Sequence, residues 1–154
     1  MRILIKPRKW VETRLDQDSL FCRKFNFISI YSSKHFSPLP DRRNILKLEF
    51  DDMTDMDIPQ KHADGSPLIL FNSEHAGRIL RFVQEIDRRK ILVVHCDAGI
   101  SRSGAIGKLL NEYCNRMIEE NPDDLAKFAE DNPAIIPNPF VYGILRTAIG
   151  NSRK

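Results

Sequence analysis

The stretch Val93-Val94-His95-Cys96-Asp97-Ala98-Gly99-Ile100-Ser101-Arg102-Ser103-Gly104 constrains this chain more than any other. It follows the apolar run Ile91-Leu92-Val93-Val94 and leads into an amphipathic segment that starts near Ser103. The pattern predicts a buried strand, a tight loop and a helix N-terminus. A cysteine at the end of such a strand, facing backbone amides and an arginine, makes a site for a bound dianion.

The flanking sequence builds the scaffold for that unit. Ile3-Leu4-Ile5 reads as a short strand ended by Pro7, and Arg8 to Leu20 as mixed sequence with one or two helical turns. Phe25 to Tyr31 is rich in β-formers and Ile45 to Phe50 alternates apolar with polar, so each predicts a strand. A helix should start at Asn72 or Ser73 and bury Ala76, Ile79, Leu80, Val83 and Ile86. The helix after the central loop should bury Ile106, Leu109, Leu110, Tyr113, Cys114 and Met117. Asn121-Pro122 and Asn138-Pro139 each predict a further helix start, with proline where no amide is needed. Strands early, helices late and one strand-loop-helix at the centre imply an α/β layer fold. Its sheet should be mostly parallel, of about four to five strands flanked by helices.

A length of 154 residues suits one domain over 1–154 with a sizeable core. Hydrophobic residues at 42% and charged residues at 29% fit a globular chain rather than a disordered one. The net charge of +3 suits an anionic substrate and gives nucleic acid no support. Cys22, Cys96 and Cys114 form no CxxC pair or Cys/His cluster, so neither a metal, a cofactor nor a disulfide framework is expected. Charge and Pro7 interrupt the first residues too early for a signal peptide, and no run approaches the roughly 18 apolar residues of a membrane span. A cytoplasmic protein without a membrane partner is the expectation.

A phosphate wrapped by the loop from Cys96 to Arg102 would meet the backbone N–H groups of Asp97, Ala98, Gly99, Ile100 and Ser101. The helix beginning near Ser103 adds its positive end. Gly99 permits a turn that a side chain would obstruct, and Arg102 can grip two oxygens with its planar fork. These features favour negative charge, the thiolate of Cys96 included. A thiolate beneath phosphorus is an in-line nucleophile, and the Ser103 hydroxyl could ease its later departure. His95 is expected to orient the loop rather than move protons. A leaving oxygen needs an acid, and Asp51, Asp52, Asp55 and Asp57 compete for the role. Asp52 is the choice, one residue past the strand pattern, with Asp51 or Asp55 behind it and Asp64 as an outside candidate. His35, His62 and His75 read as surface or capping residues, and Cys22 and Cys114 as core thiols.

His95-Cys96-x5-Arg102-Ser103, with Gly99 inside, resembles the signature of the cysteine-dependent protein tyrosine phosphatase superfamily. The short chain and its Phe50-Asp51-Asp52 loop are most similar to the compact dual-specificity-type members. The resemblance implies Cys96 as nucleophile, Arg102 and loop residues 97 to 102 as the phosphate site and Asp52 as general acid. Phosphorylated protein or peptide is the expected substrate, and a monomer the expected state. Asp97 and Ile100 stand where phosphoinositide-directed members carry lysines, which points away from a lipid. A catalytically silent phosphate-binding module and an RNA 5′-phosphatase are the competing expectations.

Overall fold

A computed structural model of the chain describes residues 1–53 and 61–153. Four strands form one parallel sheet: β1 (Ile3–Pro7), β2 (Asn26–Tyr31), β3 (Ile45–Glu49) and β4 (Leu92–Cys96), in the order β1-β4-β2-β3. Every residue of β4 is buried, as a strand covered on both faces requires. The register sets Cys96 beside Pro7, and His95 between Lys6 and Ser29.

Alternation along the strands divides two cores. Leu92, Val94 and Cys96 join Ile28, Ile30 and Leu48 on one face, where α3 (Ser73–Glu85), α4 (Arg102–Asn111) and α6 (Pro139–Asn151) pack. Val93 and Phe27 join the smaller core under α1 (Arg8–Gln17) and α2 (Phe21–Lys24). The fold is therefore the α/β class expected from the sequence, with four strands, all parallel, among the described residues.

The helices start where the sequence places them. The Asn72 side chain accepts from the amides of Glu74 and His75, and His75 Nδ1 accepts from the Asn72 amide to close a capping box. Asn121 caps α5 (Pro122–Asp131) through the Asp124 amide. Two expectations need correction. Residues 8–17 form a continuous ten-residue helix rather than one or two turns, braced by an Arg8–Glu12 ion pair at 2.7 Å. Met117 is 43% exposed rather than core. After Asn111 the helix widens into a π-helical segment, Glu112–Ile118, and i→i+5 bonding turns later positions out of the 3.6-residue stripe. No helix among the described residues is long and apolar enough to cross a membrane.

Candidate active site

The loop leaving β4 folds back over the strand's last residue. Gly99 adopts φ +69°, in the left-handed region, and its amide donates to Cys96 Sγ at 3.3 Å. A Cβ at Gly99 would lie 2.5 Å from Lys6 C and from Pro7 N. Glycine is thus required twice here, for the turn and for the close pass over β1. The Ser103 hydroxyl lies 3.1 Å from the same sulfur, which is 2% exposed as a residue. Cys96 therefore stands between one amide and one hydroxyl at the foot of α4.

Arg102 opens α4 and is 4% exposed. Its Nη1 donates to the Phe50 carbonyl at 2.8 Å and to Ser32 Oγ at 3.0 Å, and its Nη2 donates to Asp97 Oδ2 at 3.0 Å. Nε has no partner among the described residues. The guanidinium is thus held flat by the ends of β2 and β3 while one buried donor stays unused. His95 is 1% exposed, and neither ring nitrogen has a partner among the described residues. Burial, helped by the nearby Arg8 guanidinium, pushes its pKa down to about 4. The imidazole is therefore neutral at physiological pH.

The two described carboxylates that follow β3, Asp51 and Asp52, make different contacts. Asp52 is exposed at the rim, where its Oδ1 accepts from Ser101 Oγ at 3.0 Å and Asn138 Nδ2 at 2.7 Å. Ser101 consequently gives α4 no side-chain cap. Asp51 is 6% exposed and points the other way: its Oδ2 accepts from the Ile69 amide at 2.8 Å and lies 3.3 Å from His62 Nε2. It fastens the returning chain. Asp64 sits in solvent, bound to Lys34 at 2.7 Å and to Ser66, contacts that hold its carboxyl well below the usual range. Asp55 and Asp57 lie outside the described residues.

His62 needs a correction too. It is neither a surface nor a capping residue but bonds Ser33 Oγ at 2.8 Å beside Asp51. Asn138 is the residue that sequence reasoning missed. Its Oδ1 caps α6 through Phe140 and Val141, while its Nδ2 holds Asp52 and the Met53 carbonyl. The Asn-Pro pattern shows only the first job.

Lys34, His35, Asp51, Asp52, His62 and Asp97 line a cavity of about 290 Å³ beside the loop. A larger cavity of about 460 Å³ between α3 and α6 has no titratable side chain in its wall. Among the described residues no group of three His, Cys, Asp or Glu side chains is placed to hold a metal ion.

No family model matches the chain, and no curated protein matches it significantly. Solved structures share its fold. A human tyrosine phosphatase-like serine/threonine/tyrosine-interacting protein superposes with a TM-score of 0.59 at 18% identity, covering 99% of this chain and 93% of that one. PTPMT1 in complex with PI(5)P gives 0.54 at 14%, covering 97% and 91%. Tk-PTP in the active form gives 0.54 at 16%, covering 97% and 92%. The fold is that of the tyrosine phosphatases of dual-specificity type.

Proposed function

We propose that this chain is a cysteine-dependent phosphatase. On this reading it hydrolyses phosphomonoesters on proteins, phosphotyrosine first and phosphoserine or phosphothreonine with it, through a phosphocysteine. One observation carries the reading: the Cys96 sulfur lies under a loop that offers it the Gly99 amide at 3.3 Å and the Ser103 hydroxyl at 3.1 Å, with buried Arg102 closing that loop. The shared fold supports it.

In the first step the Cys96 thiolate attacks phosphorus, the bond to the leaving oxygen breaks, and Asp52 gives that oxygen a proton. Loop amides and Arg102 hold the three equatorial oxygens as their charge builds. In the second step the Asp52 carboxylate takes a proton from water, the resulting oxygen attacks phosphorus, and the P–S bond breaks. Ser103 donates a hydrogen bond to the departing sulfur. The Asp52 tether to Ser101 and Asn138 supports this assignment, because it fixes a carboxylate at the rim of the phosphate loop. Asp51 is committed to Ile69 instead.

Phosphate release from p-nitrophenyl phosphate under reducing conditions, compared with Cys96→Ser, tests the proposal. Turnover by the natural chain and its loss by at least about a thousandfold in the variant are expected, since removing a nucleophile leaves only binding and electrostatic assistance. Equal, negligible release from both proteins would leave a phosphate-binding module in place of an enzyme.

A further inference from the structure

Asp97 follows the nucleophile directly and sends its carboxylate to the arginine of its own loop, Oδ2 to Nη2 at 3.0 Å. Its side chain is 38% exposed where that of Arg102 is 5%, so it reaches from the cavity toward a buried cation. The geometry limits what a phosphate can do there. Arg102 Nη1 is committed to Phe50 and Ser32, and Nε has no partner among the described residues. A two-point grip uses one edge of the guanidinium, and both edges run through Nη2. The phosphate therefore arrives at the nitrogen that Asp97 already holds, and two anions there repel.

The other groups facing the cavity leave Asp97 without a second cation. Lys34 is taken by Asp64 at 2.7 Å, and His62 lies against Asp51 and Ser33. Arg8 is paired with Glu12 and with the Phe36 carbonyl. Asp51 and Asp52 also line the wall, and His35 is the remaining basic side chain there among the described residues.

We infer that Asp97 is a specificity-determining residue: it occupies Arg102 in the empty site, gives it up to the incoming phosphate, and presents its freed carboxylate to a basic side chain flanking the phosphorylated residue. The substrate class is a phosphopeptide with lysine or arginine beside the phosphorylated position. The inference rests on the phosphatase reading and deepens it. A neighbouring anion, whether an acidic peptide or a polyphosphorylated lipid headgroup, meets the freed Asp97 carboxylate and is disfavoured.

The test compares phosphopeptides that differ only in lysine, glutamine or glutamate beside the phosphorylated residue, with p-nitrophenyl phosphate as the flank-free reference. For the natural chain, kcat/KM should favour lysine over glutamate by about three- to tenfold, as a partly exposed ion pair allows, and the preference should shrink as salt rises. In Asp97→Asn, and equally in Asp97→Ala, the preference should vanish. Inorganic phosphate should also inhibit either variant several-fold more tightly, because its competitor for Nη2 is gone. Three results would overturn the inference: a preference of the natural chain for glutamate flanks or phosphoinositides, a lysine preference that survives both substitutions, or phosphate inhibition that is unchanged or weaker. Failure of the natural chain to turn over even p-nitrophenyl phosphate would instead overturn the phosphatase reading.

Discussion

His95 stands one residue before the sulfur, yet alternation along β4 assigns its ring to the opposite side of the sheet, with Val93 and the α1 core. There it is buried, with no partner for either nitrogen among the described residues, and protonating it would place a cation near Arg8. Its pKa falls from 6.5 to about 4 on folding. Between those values the unfolded chain binds the extra proton and the native one does not, so stability rises with pH across the window and is lost as pH falls. The loss on the acid side reaches about 3 kcal/mol. Denaturant midpoints measured from about pH 7 down to about pH 4 should therefore drop more steeply for the natural chain than for His95→Gln, which cannot take up the proton. Parallel curves would mean that the imidazole is hydrated or charged in the native state. Cys114 shows the other side of burial: its thiol, fully covered, is pushed up to about 11 and stays a neutral core group, as its place on an apolar stripe predicts.

At the scale of elements, the start of α6 and the β3 loop are one device. Asn138, 1% exposed, caps the helix with its oxygen and holds Asp52 and Met53 with its nitrogen. The two jobs can be separated. Asn138→Asp keeps an acceptor for the Phe140 and Val141 amides but turns a second carboxylate toward Asp52. On the proposed mechanism it should lower kcat by about tenfold or more with KM little changed, because Asp52 is displaced while the loop around Cys96 stays intact. Asn138→Ala should lose the cap as well, at a further cost of about 1 kcal/mol in stability. Full activity in both variants would show that the Asp52 tether is idle. These elements also mark what a sequence can tell. The strand, loop and helix around Cys96 are legible because burial, Gly99 and Arg102 fall within a dozen residues. The cap at Asn72 and the helix starts at Pro122 and Pro139 are legible because such signals are local. The second job of Asn138 spans 86 residues and cannot be seen along the chain. Helix α1 hides for a different reason: Val11 alone in it is buried, so its apolar stripe is too thin to read.

Across the whole molecule, the order β1-β4-β2-β3 gathers everything at the carboxyl ends of parallel strands. β4 supplies Cys96 and the loop, β2 leads to Ser32, and β3 leads to Phe50 and the two aspartates. Three stretches distant in sequence thus meet at one rim. That is why the strand-loop-helix unit around Cys96 can be read from residues alone, whereas what Asp51 and Asp52 each touch is seen only in the fold. Asp51 and Asp52 are neighbours with the same chemistry, and only the packing of Ile69 against one and Asn138 against the other separates them. The central claim is that Cys96 carries the phosphoryl group between two half-reactions. Rapid mixing with p-nitrophenyl phosphate, acid quenching and mass mapping of the digested chain tests it directly. A phosphoryl adduct on Cys96, enriched in Asp52→Asn where water is no longer activated, is the expected result. Turnover with no adduct on that sulfur, or with the adduct on another side chain, would contradict it.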